Sequence, residues 1–406
     1  MFTVKSIEAV HSLIIDASKH VHLNVETIPT HDALHRVLAE DVTSTIDIPH
    51  FHRSTVDGYA LMHTSVSLAS ASSPIPLSLK GSVVMGQACS YTIDEQSTVY
   101  VPTGGHIPKE ATAVVMMEHT ETLGSEILIQ KKVAKWENIL AQGADLTQGK
   151  PFLLKGTKLT ERHLGALEAA GVKSVTVYQK PRVFILSTGN EISQTLPLAI
   201  GQVLDINTFT IQGYLKAKGL ETIETCLIKD DVKHYQDTLE KAMKHHDIVI
   251  ASGGSSVGEE DFTLAALKAI DARVFVHGIN IKPGKPTLLA YKDQALFLGL
   301  PGQPTSAYMV LQTFFPTIDQ AIHRRNHTNQ RHYIEAELTQ NVPNTGGRTT
   351  FQLVSLTEDS LPKAIPIHAK AGMITSLMKA DGYIILNATQ EGANQHERVR
   401  VYRLGD

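Results

Sequence analysis

Ile248-Val249-Ile250-Ala251-Ser252-Gly253-Gly254-Ser255-Ser256-Val257-Gly258-Glu259-Glu260-Asp261 is an apolar run that breaks into a glycine-rich stretch and ends on three acids. Phe262-Thr263-Leu264-Ala265-Ala266-Leu267 follows with helical character. Strand, glycine-rich turn and helix together aim backbone N–H groups at an anion. Glycines without a Cβ let the backbone approach a phosphate closely. Three acids repel a bare phosphate, and a divalent cation between them removes the conflict, since hard oxygen ligands suit magnesium. The stretch therefore predicts a metal-bridged phosphate site on an α/β domain.

The surrounding pattern extends that domain. Val183-Phe184-Ile185-Leu186 reads as a buried strand and Asn207 to Lys218 as a helix closed by Gly219. Strand Thr222–Leu227, helix Asp231–His245 and strand Asp247–Ala251 come next. Such alternation predicts βαβ units and a parallel sheet with helices on both faces. Ligands in such sheets bind beyond the carboxyl ends of the strands. Thr188-Gly189-Asn190-Glu191, Asp230 and the 252–261 stretch all follow strands, so they are expected to share one crevice.

Upstream the texture differs. Ile7, Val10, Leu13, Ile14 and Ala17 recur at helical spacing, as do Ala33, Leu34, Val37 and Leu38 after a cap at Thr30, so two helices are expected to open the chain. Short β-like runs broken by Gly and Pro fill Val42 to Leu140, among them Ser82–Met85, Thr98–Val101 and Ala113–Met116. A helix is expected over Glu161–Ala170, with Thr160 as cap and Gly171 as stop. Beyond Arg324 the chain turns polar, and the runs Ile334–Leu338, Tyr383–Leu386 and Arg398–Val401 predict a small all-β terminal domain.

Composition narrows the function classes. The 406 residues call for about two to four domains. Hydrophobic content of 42% with 19% charged residues suits a soluble globular protein. Thirty-seven basic against 41 acidic residues, a net charge of −4 and no basic block argue against nucleic acid as a partner. No apolar run is long enough for a bilayer, so no membrane partner is expected, and Glu8, His11 and Asp16 interrupt any signal-peptide pattern. Cys89 and Cys226 form neither a metal motif nor a disulfide framework, which suits a reducing cytoplasm.

Two further loops carry chemistry. Lys282-Pro283-Gly284-Lys285-Pro286 sets two ammonium groups beside a rigid turn, suited to an oxyanion or phosphate. Gly299-Leu300-Pro301-Gly302-Gln303-Pro304 leads into an apolar helix whose N-terminus also favours an anion. Carboxylates recur at element ends: Asp57, Asp145, Glu191, Asp230 and Asp261. Singly each reads as a cap or turn residue; together they suit one or two magnesium ions, or the orientation of water for phosphoanhydride cleavage. The 20 histidines read as surface or capping groups, including His31 with His35, His50 with His52, and His245-His246. Burial accounts for Trp136, the single tryptophan.

The motifs are similar to those of a known family. Pro49-His50-Phe51-His52-Arg53-Ser54-Thr55-Val56-Asp57-Gly58-Tyr59-Ala60 resembles the P-x-F-x-x-S-x-x-D-G-[YF]-A signature of the molybdopterin molybdenumtransferases, the MoeA and gephyrin E-domain family. Thr103-Gly104-Gly105 with Pro108 and Ala113-Val114-Val115, Thr188 to Glu191, Ser252 to Gly258, Lys282 to Pro286, and Gly299 to Ala307 resemble further family segments in family order. The resemblance implies an α/β multidomain fold: a central parallel-sheet α/β domain like that of the molybdopterin adenylyltransferases, a helical layer, a β-rich insertion and a small C-terminal β-barrel-like domain. The expected divisions are 1–45 plus 141–180 (helical layer), 46–140 (insertion), 181–325 (sheet) and 326–406 (terminal domain).

It also implies an enzyme of molybdenum cofactor biosynthesis that inserts molybdate into adenylylated molybdopterin and releases AMP with Mg2+. A homodimer is implied, with its site in a cleft shared between subunits; a molybdopterin adenylyltransferase is a further expected partner. Carried over, Glu191, Asp230 and Asp261 would line the phosphate and metal region, with Gly253, Gly254 and Ser256 at the phosphate. Asp57, Asp145, Thr103 and Ser54 would approach from the insertion and helical layer. Lys282 and Lys285 would hold anionic oxygens, beside Pro301 and Pro304, and Ser376 is matched to a serine of the terminal domain.

Departures from the family pattern stand at Leu140, where an arginine is usual, and at Gly278, where a base is common; Ser255, Gln303 and Thr305 also differ. One charge at contact is worth about 4 kcal/mol at an effective dielectric near 20, before desolvation. Losing two weakens anion binding unless residues such as Arg53 or His106 compensate. Two other readings follow: a degenerate paralogue binding pterin or nucleotide as a scaffold, and a molybdopterin adenylyltransferase. AMP release separates the first from the transferase; the matched motifs outside the sheet domain oppose the second.

Overall fold

Val183–Thr188 and Ile248–Ser252 are buried along nearly their whole length, as strands covered on both faces must be. The computed structural model describes residues 4–253, 260–325, 332–344, 346–368 and 372–405, with the backbone alone at Glu260 and Asp261. Within them the chain divides into two compact units, one of residues 27–34 and 38–177, the other of the remainder.

The larger unit holds a six-stranded sheet in the order Ile223–Ile228, Val183–Thr188, Ile248–Ser252, Ala295–Leu300, Leu288–Lys292, Arg273–His277. The first four run parallel, as expected; the fifth is antiparallel to both of its neighbours, so the sixth again runs with the first four. The fifth strand reverses because Lys292 to Ala295 is a tight hairpin rather than a crossover, with Asp293 at φ 50°. Alternating side chains face two cores. Ile248 and Ile250 join Ile211, Leu215, Val310 and Phe314 on one side, while Val249 and Ala251 join Tyr235, Leu239 and Leu267 on the other.

The helix Ile7–Ala17, capped by the Ser6 hydroxyl, buries Val10 and Ile14 in the first of these cores beside the helix Pro304–Ile322. That helix is apolar on nearly every face because neighbours flank it throughout. Ala33–Leu38 does not form the expected second helix: Thr30–Asp32 make a 3-10 turn and His35 takes φ 64°. The amides of Leu38 and Ala39 donate instead to the carbonyls of Thr157 and Thr176, so tertiary pairing overrides helical spacing.

The terminal region closes into a five-stranded barrel. Tyr333–Leu338, Arg398–Arg403, Gly382–Leu386, Thr349–Leu356 and Lys363–Pro366 pair in sequence, and the last returns to the first. Closure leaves no free edge, and Ala336, Val354, Ala364, Ile384 and Val401 fill the interior. One further pairing matters for function: Ile281–Lys282 adds in parallel to Thr349–Thr350 at the barrel's side.

The smaller unit carries another six-stranded sheet, ordered Ala113–Met116, Gly58–Leu61, Ser97–Val101, Ile75–Ser82, Glu126–Ile129, Thr120–Leu123. Its helix Glu161–Ala169 starts in a capping box between Thr160 and His163. Trp136 is not buried but 43% exposed; its amide donates to Thr112 in a turn with φ 68°, which turns the ring out against His52. Two histidines are helix caps, as the capping reading allows, and both are well covered. His323 is buried with Asp319, and His246 packs on Phe184 as it caps its helix through Ala242.

Candidate functional site

The carboxyl ends of the parallel strands open into a cleft of about 770 Å³ in the larger unit. Ser187, Ser252 and Gly253, at the ends of two of these strands, line it. Gly253 takes φ 98°, and a Cβ there would lie 2.2 Å from the Thr188 carbonyl oxygen, so only glycine fits this crossing of strand ends. Gly254 and Ser256, and the side chain of Asp261, lie outside the described residues.

Glu191 lines the cleft at the end of the Thr188–Glu191 loop. The loop is braced by Asp230, whose carboxylate accepts from the Thr188 hydroxyl (3.2 Å) and the Asn190 amide (3.1 Å). The Asp230 amide donates back to Asn190 Oδ1, and Lys229 Nζ donates to the Asn190 and Ile192 carbonyls. Asp230 does not itself line the cleft; it acts on the loop that does.

Lys282, Pro283, Gly284, Lys285 and Pro286 form a second wall. This turn is held by its own backbone: the Ile279 and Thr287 amides both donate to the Lys285 carbonyl at 2.9 Å. Buried Thr287 donates its hydroxyl to the Gly284 carbonyl at 2.8 Å. The pairing of Ile281–Lys282 with Thr349–Thr350 brings Arg348 to the same wall. Arg348 was not foreseen from the sequence, yet it supplies a cation where two were thought missing. At Gly278 the backbone takes φ 91°, which disfavours the side chain a base would need.

The third wall is Pro301, Gly302, Gln303 and Pro304, the entry to the long helix, with Pro304 at its first turn. Ser376 is buried, and its hydroxyl donates to the Met373 carbonyl at 2.5 Å; Gly372, just upstream, reaches the cleft instead. Asp205 and Asn207, also unforeseen, complete the lining at the start of the helix Ile206–Ala217. A readable signal existed: an Asp immediately before a helical run is a cap.

In the smaller unit, Ser54, Asp57 and Thr103 come together. Asp57 Oδ1 accepts from the Thr103 amide at 2.8 Å, and the Ser54 carbonyl accepts from Gly104. Asp145 is exposed in a turn where its amide donates to the Ile48 carbonyl. Asp47 braces the same turn; the Gln148 amide, then the Gln142 side chain, hold its carboxyl below the usual range. Burial, and then the neighbouring His52, push the His106 imidazole down, which works against its serving as a replacement cation.

For a divalent cation the described residues contain no cluster of three or more His, Cys, Asp or Glu. The donors present, Glu191 at the cleft and Asp230 behind its loop, suit magnesium held through one or two carboxylates and substrate phosphates rather than an all-protein cage. Among the described residues no helix is long and apolar enough to cross a membrane.

Comparison with known proteins places this geometry. Residues 5–171 match the MoeA N-terminal region (domain I and II), 184–320 a probable molybdopterin binding domain, and 335–404 the MoeA C-terminal region (domain IV). The molybdopterin molybdenumtransferase of Haemophilus influenzae is 32% identical over 80% of each chain. That of Bacillus subtilis is 30% identical over 93% of this chain and 89% of its own. A crystal structure of the molybdopterin biosynthesis MoeA protein from Pyrococcus horikoshii superposes with a TM-score of 0.78, at 31% identity over 99% of both chains. The chain belongs to the molybdopterin molybdenumtransferase family, enzymes of molybdenum cofactor biosynthesis.

Proposed function

We propose that this enzyme inserts molybdate into adenylylated molybdopterin and releases AMP in a magnesium-dependent reaction. The observation that carries the reading is one cleft lined by both Lys282, Lys285 and Arg348 and the Glu191 loop. The cations suit a tetrahedral oxyanion, which a compact ammonium and a forked guanidinium bind through charge-assisted hydrogen bonds. Glu191, with Asp230 behind its loop and Asp261, would hold the cation, whose chemistry would be to screen the phosphates and polarise their oxygens. Glu191 orients a water whose oxygen attacks the adenylyl phosphorus as the anhydride bond to the pterin phosphate breaks and AMP departs. Lys282 and Lys285 keep molybdate beside the dithiolene, whose two sulfurs replace molybdate oxygen that leaves as water. Gly253, Gly254 and Ser256 cradle the phosphates.

Asp57, Asp145, Ser54 and Thr103 act in the same reaction from the smaller unit of a homodimer, and Ser376 supports the terminal-domain side. The division 1–45 plus 141–180, 46–140, 181–325 and 326–406 is part of this proposal, as is a cytoplasmic setting. The test is AMP release from adenylylated molybdopterin with Mg2+, with and without molybdate. Molybdate-dependent release is expected. Tight binding without release would favour the scaffold reading and overturn this one.

A further inference from the structure

Asp205 and Asn207 carry two buried acceptor oxygens without a hydrogen-bond partner among the described residues. Asp205 is 5% exposed, and its Oδ1 accepts from the Thr208 amide (3.1 Å) and the Ser187 hydroxyl (3.4 Å). Its Oδ2 is buried and has no hydrogen-bond partner among the described residues. Asn207 donates its amide NH2 to Ser252 Oγ and to the Gly302 carbonyl, both at 2.8 Å. A carbonyl only accepts, so Gly302 fixes which way the Asn207 amide faces. Its Oδ1 is then also buried without a partner among the described residues. Both residues line the cleft. Buried acceptors without donors are costly and uncommon, and a cleft is where a ligand supplies what the fold does not.

We infer that Asp205 and Asn207 form an acceptor-only subsite, and that it takes the N3–H and 2-amino edge of the substrate's pterin ring. The inference rests on the proposed function, since it says which end of that substrate lies there. Three features select the ring. A 2-amino-4-oxopteridine presents adjacent N–H donors along one edge, matching acceptors that cannot donate. Adenine matches poorly, because ring acceptors flank its amino group and would face these oxygens. Ile192, Val203, Leu204 and Ile206, near Asp205 and Asn207 in the chain, line the same cleft and offer an apolar surface to a flat ring. An anionic carboxylate also rejects molybdate and phosphate, which leaves the oxyanion to the Lys282, Lys285 and Arg348 wall. The cleft thus orients its substrate by polarity.

The experiment measures binding of a 6-substituted pterin, of the matching lumazine, whose 2-position is a carbonyl, and of adenosine. Wild-type protein is compared with Asp205→Asn and Asp205→Ser. Asparagine and serine both cap helices, so the fold is expected to persist, checked by circular dichroism. With Oδ1 kept on Thr208, asparagine turns an NH2 toward the subsite and reverses its polarity. The wild type is expected to prefer pterin over lumazine by about tenfold or more, as for hydrogen bonds to a charged acceptor. Asp205→Asn should abolish or invert that preference, with Asp205→Ser in between. An unchanged preference in both variants, or a loss confined to adenosine, overturns the subsite. Binding of adenylylated molybdopterin by the wild type is measured alongside. Its absence would overturn the proposed function, whereas its presence with an unchanged pterin preference overturns the subsite alone.

Discussion

The lysine turn and the Thr188–Glu191 loop line one cleft but are built in opposite ways. The turn is fixed by backbone hydrogen bonds to the Lys285 carbonyl, by buried Thr287 and by strand pairing to the barrel. The loop is held by exposed side chains, Asp230 from one direction and Lys229 from another. Charge is therefore mounted on rigid backbone at the oxyanion wall. At the acidic wall, charge itself maintains the shape of the loop. An Asp230 substitution removes a carboxylate and also releases the loop, so it cannot separate chemistry from positioning. Glu191 can, because its carboxylate is not among the groups that brace the loop.

The largest effect is accordingly expected from Glu191→Gln. If Glu191 orients the attacking oxygen, single-turnover AMP release should fall by about a hundredfold or more, in the range of acid–base and orienting groups. Molybdate affinity should stay within about threefold, because the lysine wall is untouched. The opposite pattern, weakened molybdate binding with near-normal release, would exchange the roles assigned to the two walls.

That contrast also explains what the sequence made legible. The lysine turn could be read because Pro and Gly punctuate it and its cations are adjacent in the chain. The sheet strands were readable as continuous apolar runs, since strands buried on both faces leave no alternative pattern. Arg348 was not readable, because only the parallel pairing of Ile281–Lys282 with Thr349–Thr350 brings it to the cleft. The hairpin after Lys292 lacks the Asn-Gly or Asp-Gly signal that marks tight turns, so the reversed strand beside it was not read. The 33–38 segment had helical spacing, but its neighbours' amides found partners elsewhere. Local signals reported elements, and they failed wherever a distant segment supplied the hydrogen bond.

A middle-sized effect tests whether Arg348 belongs to the rigid wall. Arg348→Ala is expected to weaken molybdate binding by about tenfold, comparable to loss of one partly solvated charge-assisted contact. Lys282→Ala should act alike, and raising salt should narrow both differences, since the wall faces solvent. Equal affinity of Arg348→Ala and wild type would leave the two lysines as the sole cations of this wall among the described residues.

The smallest expected effect concerns the position where a base is common in the family and glycine stands here. Gly278 takes φ 91°, its amide donates to the Thr287 carbonyl and its carbonyl accepts from the Lys5 amide. Both bonds lie at the root of the lysine turn, so the rigidity of the wall depends on this left-handed residue. A side chain there costs about 1–2 kcal/mol of backbone strain. Gly278→Arg is therefore expected to lower the melting temperature by about 2–4 °C, on the scale of a large chain. The added guanidinium should not improve molybdate affinity, because the strain falls on the turn that carries Lys282 and Lys285. Tighter binding at unchanged stability would mean that the wall tolerates movement, and the contrast between a rigid oxyanion side and a charge-braced acidic side would dissolve.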